Sequence, residues 1–579
     1  MVECSTTGIA LPTDYAAAVT TESRPASHSQ GVNMNQPVGQ VRDTDQTNDS
    51  VSRLRAAYDL TPYDSDAFPQ SAPEQLAAIA HVFGLPTPRV SQARVLEIGC
   101  AAGGNLTPFA STHPGAQVVG VDLSEVQIGQ GRMRAQALGL DNVQFVAGDI
   151  ADVDTSGWGQ FDFIIAHGVY SWVPQNVQEA ILSTFRRLLS PDGVAYVSYN
   201  VYPGWKAKEV MRDAMMLASG ASTTPQDKVR EARAMADFLQ DVAPQGGVLA
   251  RVLAEFRARD EGFGDTYLLH DELESFNAPC YFYEMVGRAS AHGLAYLAEA
   301  RPETMFPSNH GPKVAEYLAE KCSGVQVLME QYLDFVANRT FRESLLIHAE
   351  RAPQIRYDLH PSRFSRLHLA AWTPPVEGTT RMDHSRQEYE VADGATLFTN
   401  DPGLKATLEA LNARWPWTLS RDELIEEVGS RLAAAGFDPS ADLAGHVDNL
   451  LGVLIAQGQA RYRLDPVLPE QSSVDLLSVD TTTRRLAELT RDQDDASIFN
   501  FWHEALLLSP VDRHLVPLLD GTRDRTALLD ALTAIVGERS LQIERHGKPV
   551  PDEELREALA EEVESLPERL TEMKLIRID

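Results

Sequence analysis

Ala93–Gly104, reading A-R-V-L-E-I-G-C-A-A-G-G, leaves the chain few folds to choose from. Val95, Leu96 and Ile98 form the apolar run of a strand buried on both faces. Gly99, Ala101, Gly103 and Gly104 keep side-chain bulk off the turn that follows, and a helix near Gly104–Ser111 is expected next. A strand, turn and helix of this kind open an α/β unit, whose ligands bind beyond the carboxyl ends of the strands. Glu97 stands at that end, so the turn reads as a cofactor seat.

The alternation continues. Strands are expected at Arg94–Ile98, Gln117–Val121, Val143–Ala147, Phe161–Ala166 and Val194–Tyr199, with further helices at Glu125–Leu138 and Val177–Leu189. Asn176 and Glu179 have the spacing of an N-cap and its N3 partner, and Ser190-Pro191-Asp192-Gly193 reads as the stop of that last helix. The pattern is that of a doubly wound, Rossmann-like α/β domain.

With 579 residues, the chain exceeds what one core usually serves. Its 50 Lys and Arg against 82 Asp and Glu give a net charge of −32, which argues against nucleic acid or an anionic membrane as partner. Solubility alone accounts for such acidity, and a cationic substrate would also tolerate it. Cys4, Cys100, Cys280 and Cys322 show neither zinc spacing nor a disulfide framework, and no metal is expected. Without a long apolar run or a signal-peptide pattern, no membrane insertion is expected and the protein reads as cytoplasmic.

The flanking regions divide by composition. Residues 1–49 are polar and aperiodic and read as a disordered tail. Arg53, Tyr58, Pro62, Tyr63 and Phe68 form an aromatic lead-in within the α/β unit at 50–205, placed either as a lid or as packing on the sheet. Residues 206–305 are helical, with Met211, Met215 and Met216 as a packing cluster, and end in a strand at Leu294–Leu297 that returns to the core sheet. Residues 306–370 read as a helical segment including a helix over Gln331–His348. A winged-helix-like module is expected over 371–467, with Ser420 and Glu423 as a capping box, and a helical unit over 468–579 with an acidic helix at Asp552–Glu564.

Gly99, Ala101 and Gly104 loosely match the dinucleotide fingerprint, so a nicotinamide cofactor has to be weighed. The acids decide against it. Glu97, Asp122 and Asp149 stand at three successive strand ends, and a carboxylate at Glu97 would repel a pyrophosphate. Glu97-Ile98-Gly99-Cys100-Ala101-Ala102-Gly103 resembles the first motif of class I S-adenosylmethionine-dependent methyltransferases, with Ala101 in place of the middle glycine. That resemblance implies that Asp122 holds the ribose hydroxyls, Asp149 accepts from the adenine amino group and Ile150 packs on the ring. Gly99, Cys100, Ala101, Gly103, Asn105, Leu123 and His167 complete the implied S-adenosylmethionine seat.

Ala166–Pro174 (A-H-G-V-Y-S-W-V-P), Ser198–Trp205 (S-Y-N-V-Y-P-G-W) and His292–Leu297 extend the likeness to methyltransferases with a methyltransferase regulatory domain. These include bacterial protein-lysine methyltransferases of the rickettsial type. Tyr170, Trp172, Tyr199, Asn200, Tyr202 and Trp205 are the expected acceptor-side residues, where aromatic faces suit a methylammonium, and His167 is a candidate base. A protein substrate methylated on its lysine side chains is the favoured reading, and a homodimer is compatible with the helical 206–305 segment. A small-molecule methyltransferase and a non-catalytic S-adenosylmethionine-binding protein are the alternatives.

Overall fold

The computed structural model describes residues 55, 59 and 65–578 apart from 223, 245, 261–264, 266, 267, 275, 392–395, 439–441, 470, 494–496, 538–540, 542, 543, 546 and 547. The tail 1–49, Arg53, Tyr58, Pro62 and Tyr63 therefore lie outside the described residues. Five parallel strands, β1 (Arg94–Ile98), β2 (Gln117–Asp122), β3 (Val143–Ala147), β4 (Phe161–Ala166) and β5 (Leu189–Asn200), form most of one sheet. β6 (Leu294–Glu299) and β7 (Phe341–His348) complete it in the order β3-β2-β1-β4-β5-β7-β6. β7 runs antiparallel to both of its neighbours. Strand order reverses between β1 and β4, and a crevice opens at such a switch point beyond the strand ends.

The sequence pattern and the structure part company at β7. Residues 331–348 were expected to continue one helix. Instead the helix Gln326–Ala337 stops at Asn338, whose φ of +48° takes the left-handed conformation of a C-cap, and the chain re-enters the sheet at Phe341. Leu345, Leu346 and Ile347 are buried on both sheet faces, so their unbroken apolar run carries no period to separate strand from helix. The helix after β4 also begins earlier than its expected cap. It spans Gln175–Leu188 with Pro174 at the N-cap, whose carbonyl accepts from Val177 and Gln178, while Glu179 pairs with Gln175. That helix passes into β5 at Leu189 with no intervening turn, and Ser190 donates its hydroxyl to Asp162.

Around the sheet, the helices Gly204–Ser219, Pro225–Val242 and Val248–Asp260 share a small core that includes Met211 and Met215, whereas Leu217 and Phe238 face outward. Further on, the helices Pro402–Arg414, Arg421–Ala434 and Leu443–Ala456 pack with a three-stranded antiparallel sheet, His368–Ala370 between Leu419–Ser420 and Arg461–Arg463. Ser420 and Glu423 make the reciprocal capping bonds there. A separate apolar cluster serves residues from 477 to the C-terminus. No helix among the described residues is long and apolar enough to cross a membrane.

A buried ion cluster anchors β7. The Arg342 side chain is fully buried and donates to Glu299 on β6 (2.7 Å) and to Glu330 (3.0 Å) and Asp334 (2.9 Å) on the helix Gln326–Ala337. Its guanidinium lies 3.7 Å from the Phe282 ring centroid. Removing the cation strands three desolvated carboxyl groups, so Arg342→Met is expected to cost about 3–5 kcal/mol. A urea-unfolding midpoint unchanged by Arg342→Met would contradict this.

Candidate functional site

Beyond the ends of β1 and β4 lies a cavity of 410 Å³. Backbone geometry shapes its inner wall. Gly99 and Cys100 donate their N–H groups to the Val121 carbonyl at 2.8 and 3.1 Å, and Ala101, at φ +47°, donates to Asp122 Oδ2 at 2.9 Å. A methyl group at Gly99 would overlap Val169, and one at Gly104 would overlap the Ser65 carbonyl. The turn must be bare for the segment at Ser65 to lie on it, where Gly104 N–H donates to Ser65 Oγ at 2.7 Å.

Glu97 is the chemically unusual group. It is 3% exposed; its Oε1 accepts from Asn105 Nδ2 at 2.8 Å, and its Oε2 has no hydrogen-bond partner among the described residues. Burial pushes its carboxyl up to about 8, with Asp122 adding to the shift and Asn105 opposing it. Burial raises Asp122 as well, against hydrogen bonds from the Ser124 and Ala101 amides. Asp149 Oδ1 accepts from Ala151 N–H at 2.8 Å, beside the buried Ile150.

Of the residues expected to form a cofactor seat, Glu97, Gly99, Cys100, Ala101, Asn105, Asp122, Leu123, Asp149, Ile150 and His167 all line this cavity. Gly103 does not: it sits at φ +74° in the turn and backs onto Phe145. Trp172, Asn200 and Trp205 from the expected acceptor side also line it, the two indoles meeting edge to face at 6.1 Å.

Tyr170, Tyr199 and Tyr202 are absent from the cavity wall. Tyr170 and Tyr199 are core rings packed on each other, and the Tyr199 hydroxyl meets Ser344 Oγ at 2.9 Å on β7. Strand alternation sends Tyr199 to the opposite side from Asn200. Tyr202 lies beyond the strand end, meets Tyr281 in a tilted pair at 5.4 Å and donates its hydroxyl to Glu209 at 2.6 Å.

His167 is fixed from both sides. Phe68 lies against its ring at 4.0 Å between centroids, and its Nδ1 lies 2.8 Å from the Tyr196 hydroxyl. That hydroxyl donates onward to Glu343, which is paired with Arg301 at 3.1 Å. The Tyr196 oxygen therefore accepts from Nδ1–H, and Nε2 is left as the basic nitrogen. Burial pushes the imidazole down to about 4, with Arg301 acting in the same direction. The ring is neutral at physiological pH.

Phe68 of the aromatic lead-in joins the wall, as do Lys208, Glu272, Thr340 and Phe341, which were not singled out from sequence. Their signal is tertiary: Thr340 and Phe341 arrive only because β7 inserts beside β5.

Comparison with known proteins agrees with this architecture. A methyltransferase domain model matches residues 89–240, a predicted methyltransferase regulatory domain matches 264–348, and a PKMT C-terminal winged helix domain matches 482–575. The winged-helix match thus falls after the 371–467 region in which spacing suggested such a module. Protein RP789 of Rickettsia prowazekii (strain Madrid E) is 32% identical over 521 residues, 88% of this chain and 91% of its own length. Protein RP028 of the same organism is 37% identical over 236 residues, 41% of this chain and 94% of its own. The solved structure of PKMT2 from Rickettsia typhi in complex with AdoHcy superposes with a TM-score of 0.77 at 26% identity, over 89% of this chain and 99% of that one.

Glu97 also makes a stability prediction. In the folded protein it keeps its proton to about pH 8, whereas an unfolded glutamate loses it near ~4.3. A carboxyl raised on folding withdraws stability as pH climbs from the lower value through the higher. Glu97→Gln is therefore expected to match the native chain near pH 4, below the unfolded value, and to exceed it at pH 9 by on the order of a few kcal/mol in urea unfolding. A difference that stays constant between the two pH values would contradict it.

Proposed function

The chain belongs to the S-adenosylmethionine-dependent methyltransferases that carry a methyltransferase regulatory domain and a PKMT-type winged helix, and on that premise we propose that it methylates lysine side chains of proteins. The cofactor assignment agrees with the donor set. A cavity with a buried Glu97 carboxyl whose Oε2 has no partner among the described residues suits a cationic ligand that takes the place of its proton, and Asp122, Asp149 and the apolar Leu123 and Ile150 suit its adenosine. In our reading Glu97 faces the cationic methionyl end, Asp122 the ribose and Asp149 with Ile150 the adenine. S-adenosylmethionine supplies an electrophilic methyl group; the protein needs only to hold it and bring a neutral amine in line.

One observation carries the lysine reading. The Lys208 ammonium lies 4.9 Å from the ring centroid of Trp205, and both residues line the cavity with Trp172, Asn200 and Glu272. That aromatic face already receives a lysine of the chain itself, an attraction worth about 0.5–2 kcal/mol. An incoming lysine would meet the same indoles, while His167, held neutral by burial that pushes its imidazole down to about 4, lines the same wall and is too weak a base to take the ammonium proton. We also read the chain as a catalytic unit at 50–205, a helical regulatory unit at 206–305, and the segments 306–370, 371–467 and 468–579 as the surfaces that present or select the polypeptide.

Asp122→Ala and Glu97→Ala are each expected to weaken S-adenosylmethionine binding by about tenfold or more, as the loss of a charged hydrogen bond worth about 1.5–3 kcal/mol requires. Calorimetry checks this, and unchanged affinity in both variants would overturn the residue assignment. Methyl-labelled S-adenosylmethionine in a cell lysate is expected to label protein bands, with methyl-lysine recovered on hydrolysis. Label confined to small molecules, or to another side chain, would overturn the protein-lysine reading.

A further inference from the structure

Asn105 is the only link between Glu97 and the C-terminal part of the chain that the described hydrogen bonds provide. It precedes the helix Leu106–Thr112 at the N-cap but makes no capping bond. Its amide is committed elsewhere. Nδ2 donates to Glu97 Oε1 at 2.8 Å and to Ser71 Oγ at 3.0 Å, and Oδ1 accepts from the Phe68 N–H at 2.9 Å and meets His503 Nε2 at 2.9 Å. The Phe68 amide is an obligate donor, so it orients the carbonyl, and the His503 nitrogen facing the same oxygen must carry a hydrogen.

His503 comes from a different place altogether. It lies on the connection 500–504 between the antiparallel strands Ser497–Phe499 and Ala505–Leu507, inside the region matched by the winged-helix model. It is 5% exposed and takes φ +62°, a left-handed backbone unusual for any residue but glycine. The connection is built to hold it there. Asn500 Oδ1 accepts from the Trp502 and Glu504 amides at 2.9 and 3.1 Å, its carbonyl accepts from His503 N–H at 3.0 Å, and the Trp502 indole donates to the Pro416 carbonyl at 3.0 Å. On its other side the imidazole lines a second cavity of 370 Å³, shared with Glu74, His113 and Arg463.

We propose that His503 is a positioning residue for the cofactor site: through Asn105 it aims the amide at Glu97, so that the hairpin of the C-terminal unit sets how tightly the cavity holds its cofactor. Loss of the imidazole removes one of the donors that fix Asn105 Oδ1, leaving the Phe68 amide at 2.9 Å and the Ser71 hydroxyl at 3.4 Å, and so loosens the aim of the amide at Glu97. Whatever displaces the 500–504 connection, including a polypeptide bound on the C-terminal unit, then acts on the cofactor site without touching it. This inference rests on the reading that Glu97 faces the cofactor.

His503→Ala and His503→Gln in the full chain test it, with S-adenosylhomocysteine as the calorimetric probe. His503→Ala is expected to bind about fivefold more weakly, the size of one lost neutral hydrogen bond. His503→Gln, which restores a side-chain N–H donor, is expected to recover most of that loss. The protons exchanged on binding, read from the dependence of the enthalpy on buffer ionisation, are expected to change in His503→Ala and to return in His503→Gln, because they report the environment of Glu97 rather than packing. Native affinity and proton exchange in a folded His503→Ala protein would overturn the proposal. So would a glutamine variant no better than alanine, or loss of folding in both variants, which would make His503 a packing residue. If Glu97→Gln weakens binding while His503→Ala does not, this inference alone fails; if Glu97→Gln binds as the native chain does, the reading of the site fails with it.

Discussion

A half-satisfied buried carboxyl group organises this protein. Glu97 stands at the end of a strand at the switch point of the sheet, one oxygen tied to Asn105 and the other without a partner among the described residues, and burial holds its proton to about pH 8. Leaving such an atom unpaired costs free energy unless a ligand completes it. The neighbouring architecture keeps it in place: bare positions at Gly99 and Gly104 let Val169 and Ser65 close on the turn, and Asp122 holds the Ala101 amide. The cavity is thus preorganised for a cation, with the cost carried by the fold.

The acceptor side depends on a second constraint. β7 enters the sheet antiparallel between β5 and β6, and the buried Arg342 ties it to Glu299, Glu330 and Asp334. Its register sets Phe341 opposite Asn200 and Glu343 opposite Ser198. Phe341 thereby becomes cavity wall, while Glu343 orders the Tyr196 hydroxyl that holds His167. The region matched by the regulatory-domain model thus supplies part of the cavity wall.

Much of this was legible in the sequence because the relevant signals are local. β1, β3 and β4 fall where their apolar runs place them, and the acids at successive strand ends converge because parallel strands share a carboxyl edge. β7 was not legible, since a strand buried on both faces has no alternation to read. Tyr170, Tyr199 and Tyr202 looked equivalent to Trp172 and Trp205 by type and proximity. Strand alternation turns Tyr199 away from the cavity, whereas Tyr170 and Tyr202 lie off the strand; for Tyr170 and Tyr199 the deciding neighbours, Arg288 and Ser344, lie more than a hundred positions away. Glu272, Thr340 and Phe341 reach the site through tertiary packing alone, and no local pattern marks them.

A crystal structure with S-adenosylhomocysteine tests the account most directly. The account predicts the ligand's amino group within hydrogen-bonding distance of Glu97 Oε2, its ribose hydroxyls on Asp122, its adenine between Asp149 and Ile150, and its sulfur turned toward Trp172 and Trp205. A ligand bound elsewhere, or one seated in the cavity with Glu97 Oε2 still unpaired, would contradict it.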